Sequence, residues 1–134
     1  MSSYTMTITL ERAYDDAVQA VRDALGEQGF GILTEIDLRA TLKNKLDVDI
    51  APHVILGACR PALAHEAIQA EPSIAAVLPC NVVVRSVGES STVVEAFDPD
   101  VMMGFADNDA LHAVAHDAKK RITAAFTTLL GGSE

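Results

Sequence analysis

The sequence predicts a single α+β domain: a sheet of about five strands with helices packed mainly on one face, in the order β-α-β-α-β-α-β-β-α. Three observations predict it. The chain has 134 residues, the size of one domain. Hydrophobic residues make up 49% of it, enough to fill one core, while aromatics are 4% and Trp is absent. The spacing of apolar residues also switches along the chain between period two and a period of three to four, without an internal repeat or a linker.

From Tyr4 to Leu10, the residues Tyr4, Met6, Ile8 and Leu10 alternate with Thr5, Thr7 and Thr9, the pattern of a half-buried strand. From Glu11 the period lengthens. Tyr14, Ala17, Val18, Val21 and Leu25 mark one face of an amphipathic helix that Gly29 ends. Phe30 to Ile36 forms a second strand, and Asp37 is placed to cap a short helix in which Leu38, Leu42 and Leu46 stack at four-residue spacing. Lys43 and Lys45 come late in that helix, where cations suit its dipole.

After a loop ending at Pro52, the apolar run His53–Cys59 is the third strand, and Arg60-Pro61 turns into an alanine-rich helix. Pro72 forces that helix to stop by Glu71. The fourth strand runs from about Cys80 to Val87, a turn covers Gly88–Ser91, and Thr92–Phe97 pairs back as the fifth. Asp98-Pro99 breaks that strand. Asp100–Ala106 is then a loop or short helical turn, and a long helix from about Asn108 to Leu130 is ended by Gly131-Gly132. Without the short second helix, the first four strands follow a split-βαβ, ferredoxin-like order, which makes strands three and four parallel. On the last helix, Leu111, Ala115, Ala118, Ile122, Ala125 and Leu129 form a seam that suits either the sheet or a subunit interface.

Composition excludes several functions. The net charge of −9, from 19 acidic and 10 basic residues, opposes a phosphate backbone, so nucleic acid is not an expected partner. No apolar run approaches the roughly 20 residues of a membrane span, and the first residues lack a signal-peptide pattern. The expectation is a cytoplasmic protein away from membranes.

The strings Gly29–Asp37, Thr41–Leu46, Ile55–Pro61 and Leu78–Val84, with Ala70-Glu-Pro72 and Asp98-Pro99, occur in the order and spacing of one family. Over roughly residues 5 to 130 the chain resembles the domain-of-unknown-function 302 family. The resemblance implies a small bacterial or archaeal α+β protein, homodimeric and cytoplasmic, and it implies no known activity. This chain departs from the family with Arg60 where Asn is usual, and with His53 where Tyr is frequent.

Three sets of residues carry candidate chemistry. Cys59 and Cys80 can serve as redox or sulfur-carrying thiols or as ligands for a soft metal, although neither lies in a C-x-x-C motif. With strands three and four parallel, Cys59 ends one and Cys80 begins the other, so they fall at opposite edges as two unpaired thiols. Burial as small packing residues is the plainer reading of both. The same topology gathers Asp37, His53, Cys80 and Asn81 at one edge with Lys43 and Lys45 above them, where a thiol beside cations would ionise readily. His112 and His116, four apart on the last helix, have the spacing of a metal-chelating pair. Met102 and Met103, with Phe105, read as core filler or a dimer contact rather than a copper or haem box.

No motif fixes a reaction, and no cofactor is required by the sequence. The reading that follows is a homodimeric module, more binding protein than enzyme, taking a small molecule or protein at the Asp37–His53–Cys80 edge. The alternative is a thiol-dependent redox enzyme or a sulfur or soft-metal carrier using Cys80 or Cys59. A purely structural interaction protein is the third.

Overall fold

A computed structural model describes residues 3–131. The elements are β1 (Thr5–Leu10), α1 (Tyr14–Glu27), β2 (Gly31–Asp37), α2 (Leu38–Leu46), β3 (His53–Cys59) and α3 (Pro61–Ala70). After them come a 3-10 turn (Pro72–Val77), β4 (Cys80–Gly88), β5 (Ser91–Phe97), α4 (Pro99–Gly104) and α5 (Asp109–Leu129). The expected α+β class and succession of elements hold. The additions are the 3-10 turn after Pro72 and the short helix α4, which takes up Met102 and Met103.

Local chemistry explains the boundaries. Asp37 ends β2 and caps α2, its carboxylate accepting the Ala40 N–H at 2.9 Å. Asn108 caps α5 by accepting the Leu111 N–H at 3.2 Å. Gly29, past the end of α1, takes φ +84°, a left-handed conformation that glycine adopts without penalty. Gly131 does the same after α5, and Gly132, expected to share that role, lies outside the described residues.

The five strands form one sheet in the order β1-β5-β4-β3-β2, and every neighbouring pair is antiparallel. The parallel direction expected of β3 and β4 is therefore corrected: they lie side by side in opposite directions, with His53 opposite Arg85 and Ala58 opposite Cys80. The reason lies in the connection. Twenty residues containing a helix suggest a crossover, which a parallel pair would need. Here α3 leads away from the end of β3 and the 3-10 turn packs against it on the way back, so β4 starts beside the end of β3.

One face of the sheet carries Leu10, Val54, Leu56, Val82, Val84, Val94 and Ala96, which pack with Val21 and Leu25 of α1 and with Ile122, Ala125, Phe126 and Leu129 of α5. A second cluster sits at the end of the sheet where β4 begins. It joins Cys80 to Leu63 and Ala67 of α3, Met102 and Met103 of α4, and Leu111, Val114 and Ala118 of α5. The α5 seam is thus consumed within the chain, half in each cluster, and its reading as a subunit interface is corrected. Among the described residues no helix is long and apolar enough to cross a membrane.

Candidate functional site

Antiparallel pairing gives the sheet two chemically different ends. At one end β2 finishes, β3 begins and α1 starts. Asp37 is held there by its capping bond, and Arg39 projects from the first turn of α2. Tyr14 and Asp15 open α1, and Pro52 fixes the entry to His53. These residues line a cleft of about 360 Å³.

Two of its groups are shifted. Burial, reinforced by the carboxylates of Asp37 and Asp15, raises the pKa of the Tyr14 phenol. Burial, with the guanidinium of Arg85 across the ladder, lowers that of the His53 imidazole. Near neutral pH the cleft therefore presents a phenol O–H, a neutral imidazole and a guanidinium beside two carboxyl groups. That set donates and accepts hydrogen bonds and recognises charge of both signs.

The expected edge is only half assembled here. Asp37 and His53 come together, but Cys80 and Asn81 lie at the opposite end, opposite Ala58 and Gly57. This is a direct result of the antiparallel register. Lys43 and Lys45 do not line the cleft: Lys43 pairs with Asp47 at 2.8 Å and Asp49 at 3.4 Å, and Lys45 is exposed on the same helix. Sequence reasoning missed Tyr14 and Arg39. Tyr14 fits the apolar stripe of α1, and Arg39 looks like any solvated helix residue. Only the knowledge that α1 starts beside the end of β2 would have singled them out.

At the other end, Cys59 and Cys80 are corrected from opposite edges to one place. Both are free thiols, and both line a small cavity of about 20 Å³ with Arg60, Leu63 and Met103. Burial raises the Cys59 thiol and pushes Cys80, beside Cys59, up to about 11. A thiol activated by neighbouring His53 and Lys43, as the parallel arrangement implied, does not form.

On the sheet face away from the main core, Asn81 borders a shallow depression of about 290 Å³ with Tyr4, Val83 and Phe97. At its base the Glu95 carboxylate accepts the Thr5 hydroxyl at 2.6 Å and the Thr7 hydroxyl at 3.1 Å, and Arg85 lies 3.4 Å away. These bonds, that from Thr5 first, hold Glu95 below its usual pKa.

His112 and His116 are both exposed. The Nε2 of His112 lies 2.8 Å from the Ala106 carbonyl, and the Nδ1 of His116 is 4.0 Å from Asp100. Among the described residues no group of three His, Cys, Asp or Glu side chains is placed to hold a metal ion.

Comparison with known proteins gives the fold a family. A search of curated proteins finds no match. The chain is similar to a solved structure, described as an uncharacterised conserved DUF302 protein from Bacillus stearothermophilus, at 25% identity and a TM-score of 0.84. The likeness covers 92% of this chain and 96% of that one. The sequence profile of DUF302, a domain of unknown function, matches residues 6–129, nearly the whole described fold. This all-antiparallel sheet is that of a protein that belongs to the DUF302 family.

Proposed function

We propose that the protein is a homodimeric binding module that takes a small zwitterionic ligand in the cleft of Tyr14, Asp37, Arg39 and His53. The observation that carries this reading is the convergence of a guanidinium, a neutral imidazole, a phenol and two carboxyl groups around about 360 Å³. That volume suits a molecule of amino-acid size, at the small end of ligand sites. Arg39 takes the anionic group of such a ligand, and Asp15 or Asp37 takes its ammonium. We read the cleft as a recognition site because its charged and hydrogen-bonding groups match the two ends of a zwitterion.

The homodimer is supported by the surface that β2 and α2 leave open. Leu33 is 64% exposed and Leu46 66%, with Ile36 and Val48 also exposed. No residue of α2 is buried. β2 is an edge strand, whose outer backbone groups invite pairing. Apolar residues gathered on a free edge favour a second copy of the same chain.

The test is calorimetric titration of the native protein with a panel of free amino acids and their decarboxylated and deaminated analogues. The expected result is saturable binding of a zwitterion that Arg39→Met and His53→Gln each weaken while leaving circular dichroism unchanged. Binding that survives both substitutions, or no heat from any member of the panel, sinks the reading.

A further inference from the structure

The sheet face turned away from α1 and α5 carries a second set of recognition groups. Tyr4, Thr5, Asn81, Val83, Glu95 and Phe97 line the depression there, and none of them lines the cleft of Tyr14 and His53. We propose that this depression binds an organic ammonium: a small amine without a carboxylate, its apolar body against Tyr4 and Phe97 and its charge facing Glu95.

The strand register brings these groups together. Thr5 lies opposite Phe97, and Glu95 stands between Thr7 and Val83 in the next row of the same face. Tyr4 and Phe97 meet edge to face, with ring centroids 6.4 Å apart. Tyr4 is more than half exposed, so its ring is open to an occupant. Aromatic rings attract ammonium groups, and their apolar area suits the carbon body that carries one.

Glu95 sets the sign of the charge. Among the lining residues it alone is an acid or a base of ordinary range, and its carboxylate repels anions and draws cations. Thr5 and Thr7 both donate to Oε2, which fixes the carboxylate before any ligand arrives and keeps it ionised. Oε1 keeps room to accept. Arg85 reaches it only at 3.4 Å, from the following row opposite Val93, and does not line the depression. The net charge of −9 adds a general attraction for cations.

The other features of the lining narrow the class. Hard metal cations need several oxygen ligands, and among the described residues no group of three His, Cys, Asp or Glu side chains could hold one. A volume of about 290 Å³ suits a molecule with one ring rather than a peptide or nucleotide. A zwitterion would bring its own carboxylate towards Glu95, so this site and the cleft select different molecules. Binding transfers no proton, since the amine arrives as ammonium and Glu95 is already a carboxylate.

The experiment is a heteronuclear NMR titration of the native, full-length protein with phenethylammonium, phenethyl alcohol and hydrocinnamate. The expected result is saturable shifts at the amides of Thr5, Asn81, Glu95 and Phe97 with the ammonium. The alcohol binds roughly fivefold more weakly at the same amides, and the carboxylate does not bind. Glu95→Gln erases the difference between ammonium and alcohol while the alcohol still binds, which shows the face intact. Tyr4→Ala, at an exposed side chain, weakens the ammonium by roughly 2–5-fold. Arg39→Met, in the cleft, changes nothing here. Equal binding of ammonium and alcohol overturns the proposal, as does full affinity in Tyr4→Ala or a charge preference that Glu95→Gln retains. So do amides that ignore the ammonium and shift with protein concentration instead, which would give the face to a second copy of the chain.

Discussion

The hydroxyl of Thr34 fills the space that a side chain on Gly57 would need. The two residues are register partners across β2 and β3, next to the irregularity between Ile32 and Thr34. A Cβ on Gly57 would overlap Thr34 Oγ1 and come within 2.9 Å of the Pro79 ring. Gly57→Ala is therefore expected to destabilise the fold by ~1–3 kcal/mol, the usual cost of overpacking. Chemical denaturation checks this, and Thr34→Ala in the same background should recover part of the loss. An unchanged midpoint in Gly57→Ala contradicts the packing described.

Acid should weaken the protein in two separable steps. His53 has a lowered pKa in the fold, so below its ordinary value of 6.5 the unfolded chain binds a proton that the folded chain refuses. Stability then falls as pH drops below 6.5. Glu95 behaves as a depressed carboxylate. Its contribution is complete above 4.5 and is lost as pH falls from there through its folded value. Denaturation midpoints across this range should show the first step flattened in His53→Gln and the second in Glu95→Gln. Parallel curves for all three proteins refute the assignment.

Asp98 joins three elements with one carboxylate. It follows β5, caps α4 by accepting the Asp100 N–H at 2.9 Å, and accepts the Lys119 ammonium of α5 at 2.9 Å. Asp98→Ala removes both bonds, and the cap alone is worth about 0.5–2 kcal/mol. Asp98→Asn keeps a capping oxygen but loses the charge, so it should cost less, about 0–1 kcal/mol. Thermal unfolding gives the order, and equal losses would mean that the ion pair rather than the cap dominates.

If β2 and α2 form the proposed dimer surface, a charge placed there should separate the subunits without unfolding them. Leu46 is exposed in one chain, so Leu46→Glu costs the monomer little. Sedimentation velocity should show a dimer for the native protein and a monomer for the variant. A native protein that sediments as a monomer at all concentrations dismisses the dimer.

The strands and helices were legible because their signals are local. The alternation from Tyr4 to Leu10, the cap at Asp37 and the stop at Pro72 each act within a few residues. Pairing direction is not local. It depended on whether the segment between Cys59 and Cys80 crosses the sheet or returns, and a helix reads the same in both cases. That one ambiguity separated Cys80 from His53 and joined it to Cys59. Half of the cleft survived, since Asp37 and His53 are neighbours in either topology. Arg39 and Tyr14 stayed hidden because nothing in their own surroundings distinguishes them from surface and core residues.

The pairing of β1 with β5 sets an order on synthesis. Thr5 finds its ladder partner in Phe97, and Leu10 in Thr92. Of the five strands, β1 is made before the others and is the last to be hydrogen-bonded, while β2 to β5 can join as each successive strand emerges. Until then Met6, Ile8 and Leu10 wait with no sheet to lie on. The threonines between them keep the waiting segment wettable, and once β5 arrives Thr5 and Thr7 turn their hydroxyls to Glu95.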